Sequence, residues 1–147
     1  MKYTVSNTIN RSMDQVMEKY KDPEGVKNWM DGLEKIERLS GSHMEVGAKS
    51  NFHFLYKGKQ MQIAEEVLEE DLPRQIKYGF TSSMGYNTVE MIFEPIDDNS
   101  VRQTNNSYFE MRGFMKLIGF VMIGMFKKQS KTYINAFKSW VEEQVGL

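Results

Sequence analysis

Six short segments in which apolar and polar residues alternate are followed, over residues 112–144, by one long stretch with helical spacing. That order constrains the fold more than any single residue. A period of two puts one row of side chains on each face of a strand, and a period of 3.6 puts a stripe along a helix. A first strand, two short helices, a meander of strands and a long closing helix together predict a curved sheet gripping a helix. Such an arrangement encloses a cavity.

Residues 3–9 alternate and form the first expected strand. Ser12 stands before Met13, Val16, Met17 and Tyr20, which fall at helical spacing, and Gln15 occupies the capping-box position. Asp22-Pro23-Glu24 restarts a second short helix carrying Val26, Trp29 and Met30 on one side, and Gly32 ends it. Residues 36–39 open the next strand. From Ala48 the period is two: Phe52, Phe54 and Tyr56 point one way and Asn51, His53 and Leu55 the other. Lys57-Gly58-Lys59 is a tight hairpin signal, and Met61, Ile63, Glu65 and Val67 share a phase on the return strand. Leu72-Pro73-Arg74 breaks that strand. Ile76, Tyr78 and Phe80 make the next apolar row, residues 82–85 turn the chain, and Val89, Met91 and Phe93 alternate with polar neighbours. After the turn at Asp97-Asp98-Asn99, residues 101–110 form a last strand with no cleanly apolar face. Val101, Gln103, Asn105, Ser107 and Phe109 share one side of it and Arg102, Thr104, Asn106 and Tyr108 the other. Whichever side faces inward brings polar groups that need partners. Linkers and repeats are absent, so residues 1–147 read as a single domain.

The closing helix has two unlike halves. Tyr133, Phe137, Trp140, Val141 and Gln144 make one stripe facing a core, with Lys131, Asn135, Lys138 and Glu142 outside. In residues 114–126 apolar side chains surround the helix, and Gly113, Gly119 and Gly124 each weaken it by roughly 1 kcal/mol relative to alanine. Three readings of this half are open: cover by loops and the short helices, a cavity mouth or dimer contact, or a membrane-surface segment flanked by Arg112, Lys116, Lys127, Lys128 and Lys131. It is too short to span a bilayer, which takes about twenty predominantly apolar residues.

Composition excludes several classes. A formal net charge of −1 offers no basic surface for nucleic acid. The absence of cysteine rules out disulfides and thiolate zinc sites. The first seven residues lack the apolar core of a signal peptide, so a cytoplasmic location is expected. Twelve methionines suit an adaptable apolar surface. No metal-ligand spacing, phosphate loop or nucleophile elbow occurs, and neither a metal nor a cofactor is expected. His43 lies in a turn-rich stretch and is expected in solvent; His53 faces water if the aromatics beside it face inward. Five acidic residues crowd positions 65–71, the usual sign of a solvated strand end. Glu65 differs from the rest by sharing the phase of Ile63 and Val67. An inward carboxyl there would have a raised pKa and could serve as acid or base.

The opening strand running into Ser12-Met13-Asp14-Gln15-Val16, the segment 22–29, Gly47 before a strand, the strand–proline–strand stretch 66–78 and the long last helix together resemble the START/SRPBCC superfamily. This is the helix-grip fold of polyketide-cyclase-like proteins and of the birch pollen allergen. The resemblance implies an α+β fold with about seven antiparallel strands around the C-terminal helix and a hydrophobic pocket between them. It implies no shared catalytic set, since members range from lipid and ubiquinone carriers to cyclases, hydrolases and chaperone activators. The first expectation is therefore binding, transport or sensing of a small hydrophobic molecule, lipid-like or aromatic. The expected lining is Phe52, Phe54, Tyr56, Ile63, Tyr78, Phe80, Met91 and Phe93 from the sheet, with Met122, Met125, Tyr133 and Phe137 from the helix. The alternative is a cyclase/dehydratase-type enzyme using Glu65, Tyr78, Asn105 or Tyr108. A further alternative is a protein- or membrane-interaction module working through residues 114–126.

Overall fold

The structure, a computed structural model, describes residues 1–111, 113 and 115–145, the side chains of 115, 144 and 145 excepted. Arg112, Phe114 and the side chain of Gln144 lie outside the described residues. The elements are β1 (Lys2–Ile9), α1 (Met13–Tyr20), one 3-10 turn (Val26–Asn28), β2 (Leu33–Ser40), β3 (Lys49–Tyr56), β4 (Lys59–Asp71), β5 (Gln75–Ser82), β6 (Gly85–Asp97), β7 (Ser100–Met111) and α2 (Met115–Val145). One antiparallel sheet holds all seven strands in the order β1-β7-β6-β5-β4-β3-β2. The two strands adjacent along the chain, β1 and β2, thus lie at opposite edges, and α1 with the 3-10 turn bridges the gap.

Local chemistry explains most of these boundaries. Ser12 caps α1: its hydroxyl accepts from the Gln15 backbone N–H while the Gln15 side chain accepts from the Ser12 N–H, which satisfies two donors the first turn would leave bare. Lys57 and Gly58 both adopt positive φ (50° and 78°), the geometry of a two-residue turn whose twist matches the flanking strands. Register shifts at Val67/Glu69, Pro95/Asp97 and within the β2–β3 pair bend the long strands, which curls the sheet.

The sheet closes around α2, which runs unbroken through Gly119 and Gly124. Ile134, Phe137 and Val141 are buried against Val5, Ile9, Val16, Tyr20 and Phe93. Polar contacts fix the helix on the sheet as well. Tyr3 Oη is 2.6 Å from Ser130 Oγ and donates to the Phe126 carbonyl, and the amides of Asn7 and Gln103 both donate to the Ile134 carbonyl (3.0 and 3.1 Å). The inward stripe therefore includes Ser130 and Ile134, while Tyr133 and Trp140 sit at its half-buried margin.

Two expectations need correction. The second short helix is a single 3-10 turn: Gly25 and Asn28 are weak helix formers, and the Gly25 carbonyl accepts from both the backbone N–H and the side-chain amide of Asn28. A side chain at Gly25 would also meet the Trp140 ring, at 2.6 Å from an added Cβ. Of the three readings open for the first half of α2, cover on every side by loops and short helices is overturned: Leu117, Phe120, Val121 and Met125 are exposed, while Ile118, Met122, Ile123 and Phe126 on the other side are half-buried.

Candidate functional site

A cavity of about 420 Å³ lies between the concave face of the sheet and α2. Alternation decides which side chains reach it. On β3, Phe52, Phe54 and Tyr56 face in, and Ile63 of β4, Tyr78 and Phe80 of β5 and Met91 of β6 continue the wall. Met122, Met125 and Tyr133 close it from the helix. Phe93 and Phe137, expected on the wall, lie behind it. Each is 1% exposed and meets the Tyr20 ring edge-on, with centroids 4.9 and 5.6 Å apart, so they are core.

Sequence reasoning missed Trp29, Met30 and Met44, which reach the cavity from the loops flanking β2. Trp29 and Met30 share a side at helical spacing, but nothing local says which surface that side meets, and the stretch holding Met44 has no period to read. Ile36 and Met61 also line it, and Met61 was legible, since it shares the phase of Ile63.

The last strand turns its Val101-Gln103-Asn105-Ser107 side inward; all four residues are buried. Gln103 spends its amide on α2 and Asn7, a structural use. Asn105 borders the cavity, with its Oδ1 accepting from Ser107 Oγ at 2.6 Å, and its amide N–H groups, which have no hydrogen-bond partner among the described residues, can meet a ligand. Tyr108 is on the outer face, exposed, and does not reach the cavity. The parity of β7 places it there, beside Arg102 and Asn106 rather than Asn105.

The remaining polar groups gather against β2, β4 and β5. Glu65 lines the cavity, and no hydrogen-bond or ion-pair partner meets its carboxylate among the described residues. Burial pushes its pKa up to about 7, partly opposed by the Arg38 guanidinium. Tyr78 Oη and Tyr20 Oη are hydrogen-bonded at 2.9 Å, and burial holds both phenols neutral, with the nearby Glu65 charge acting in the same sense. Arg38 Nη2 lies 3.3 Å from His43 Nδ1. A guanidinium can only donate, so His43 accepts through Nδ1 and is a neutral imidazole, in accord with a pKa held down by burial and by Arg38. His43 is exposed, as expected, and stands at the border of the cavity. His53 points to the outer face and pairs with Glu37 at 3.0 Å.

The cavity is an aromatic and methionine pocket with one carboxyl group poised near neutral pH, two linked phenols and one fixed cation. Such a carboxyl can take a proton from a bound molecule or give one to it. Among the described residues no cluster of His, Asp and Glu is placed to hold a metal ion.

A model of the family described as polyketide cyclase / dehydrase and lipid transport matches residues 1–142. No curated protein matches the chain in sequence. Among solved structures, the Zhui aromatase/cyclase of a Streptomyces species superposes with a TM-score of 0.82 at 16% identity, covering 99% of this chain and 95% of its own. A Thermus thermophilus protein gives 0.79 at 15% identity, with 99% of each chain covered. Norcoclaurine synthase from Thalictrum flavum, solved in complex with dopamine and hydroxybenzaldehyde, gives 0.73 at 15% identity, covering 97% of this chain and 87% of its own. At these identities the likeness is one of fold.

Proposed function

The chain belongs to the polyketide cyclase / dehydrase and lipid transport family, and from that premise we propose that it binds one small, largely apolar molecule, lipid-like or aromatic, in the cavity. The observation that carries this reading is the cavity itself: about 420 Å³, walled by aromatic and methionine side chains, with its few polar groups gathered in distinct places. Small-molecule sites typically have about 300–1,000 Å³ and this same mixture of apolar wall and sparse polar anchors. Met30, Met44, Met61, Met91, Met122 and Met125 all contribute to the wall. Their flexibility favours a pocket that tolerates several ligand shapes. A hydroxyl or carbonyl group on the ligand would find Glu65 and Arg38 on one side and the Asn105 amide on another. The aromatic ligands named for norcoclaurine synthase are compatible with such a pocket.

The test is a fluorescence titration with the dye 1-anilinonaphthalene-8-sulfonate, followed by competition with fatty acids and with small phenols. Saturable one-to-one binding is expected in the wild type. Ile63→Trp, which fills the cavity opposite Phe52, should weaken it by at least about tenfold through loss of the buried volume, with the melting temperature measured alongside. Dye binding that ignores Ile63→Trp in a folded variant would sink the proposal.

Glu65 supports a second reading, an enzyme of the cyclase/dehydratase type. In that chemistry Glu65 in its carboxylate form takes a proton from the carbon beside a ligand carbonyl, and a phenol or Arg38 donates a hydrogen bond to the enolate oxygen. A ketone probe, 2-tetralone in deuterated water, reports this step by NMR. Exchange at its α-carbon is expected in the wild type and should fall to the background rate in Glu65→Gln. Equal exchange in the two proteins rules the enzyme reading out.

A further inference from the structure

We propose that the outward face of the first half of α2 is a docking surface for an anionic lipid bilayer, placed beside the mouth of the cavity. Leu117, Phe120, Val121 and Met125 are 78%, 83%, 77% and 65% exposed. With Gly124, where an added Cβ would meet nothing within 4 Å, they fall at i, i+3, i+4, i+7 and i+8, one continuous strip of the helix. A strip of four large apolar side chains in water marks an interaction surface.

Charge identifies what the strip fits. Between Glu110 and Glu142 the sequence contains six basic residues and no acidic one, in a chain whose formal net charge is −1. Lys116 precedes Phe120 by one turn and Lys128 follows Gly124 by one turn; with Lys127 they are exposed and have no ion-pair partner among the described residues. Lys57 and Lys59, also exposed, stand on the β3–β4 hairpin, whose Tyr56 and Met61 line the same cavity as Met125. Among the described residues that line the two pockets here, the acidic side chains are Asp31, Glu65 and Glu110, the last beside Lys116. Apolar side chains set among lysines are what a headgroup layer of anionic lipids receives: the side chains enter the acyl boundary and the lysines remain at the phosphates. A second protein with an apolar patch would satisfy the strip but give no reason for the lysines. No helix among the described residues is long and apolar enough to cross a membrane, so the contact is with the surface.

Position adds a second argument. Met125 belongs both to the exposed strip and to the cavity wall, and Met122 lines the wall one turn before Phe126. A bilayer seated on the strip would therefore lie against the mouth. Docking itself needs no particular occupant of the cavity.

The test is co-flotation of the full chain with vesicles of equimolar phosphatidylcholine and phosphatidylglycerol, compared with vesicles of phosphatidylcholine alone. Binding to the anionic vesicles that weakens with added salt is expected. Replacing Lys116, Lys127 and Lys128 by Gln should weaken it about fivefold for each lysine, and Phe120→Ser by about tenfold or more. Because Phe120 is so exposed, Phe120→Ser should keep the wild-type melting temperature. Absence of binding to anionic vesicles at low salt overturns the proposal. So does binding indifferent to Phe120→Ser, or a stable dimer that buries Phe120 in light scattering and cross-linking.

Discussion

Phe137→Ala should cost about 3–5 kcal/mol of folding stability, read from urea unfolding, because it empties the place where the helix meets the sheet. The ring is 1% exposed and lies 5.6, 5.7 and 6.2 Å from the rings of Tyr20, Trp29 and Trp140. Those partners come from α1, from the turn before β2 and from α2 itself, so one truncation loosens three segments. They are held by other contacts, Tyr20 by Phe93 and by its hydrogen bond to Tyr78, and cannot collapse into the void. A protein of this size has about 5–15 kcal/mol in total, so the variant loses a large share of its stability. A cost below about 1.5 kcal/mol would mean the site relaxes as a cavity-lining position does, and that Phe137 is not core.

Glu65→Gln should stabilise the protein by about 3 kcal/mol at pH 8 and hardly at all at pH 4.5. The carboxyl titrates near its ordinary value of 4.5 in the unfolded chain and at about 7 in the cavity. Between those two pH values the native state holds a proton that the unfolded state has released. Stability therefore falls as pH rises through that window and levels off above it, the reverse of a salt-bridged carboxylate. The gap between the two pKa values corresponds to about 3 kcal/mol. Glutamine matches the neutral acid in shape and removes the titration, so the difference between variant and wild type should open from pH 4.5 to pH 7. Urea midpoints at the two ends of the window measure it. A difference that does not change with pH would show that Glu65 titrates as a solvated carboxyl. The other shifted carboxyls, Glu37, Asp97 and Glu142, are lowered, so whatever they contribute is present at neutral pH and lost in acid. The two directions can be separated in one pH series.

The inward positions of Phe52, Ile63, Tyr78 and Met91 were legible because a strand alternates rigidly: once one neighbour is known to face the core, parity places the rest. Glu65 was legible for the same reason. Its neighbours Glu66, Glu69, Glu70 and Asp71 hid it in a charge cluster, and only its phase with Ile63 and Val67 separated it from them. Parity failed on β7, where both faces mix polar and apolar residues; there Asn105 and Tyr108 remained equivalent until pairing with β1 and β6 chose a side. Phe93 and Phe137 faced inward as expected, but inward covers both core and cavity wall, a distinction that depends on whether another ring lies in front.

Turn chemistry and patterning in the chain alone determined the run of short strands, the capped first helix and the long closing helix, because each depends on neighbours a few residues apart. Three things were decided only in three dimensions. The loop residues Trp29 and Met44 joined the cavity, Arg38 came to stand near both Glu65 and His43, and the apolar first half of α2 was left uncovered on one side. Each depends on contacts between segments far apart in the chain, and local periodicity carries no information about which distant surface a side chain will meet.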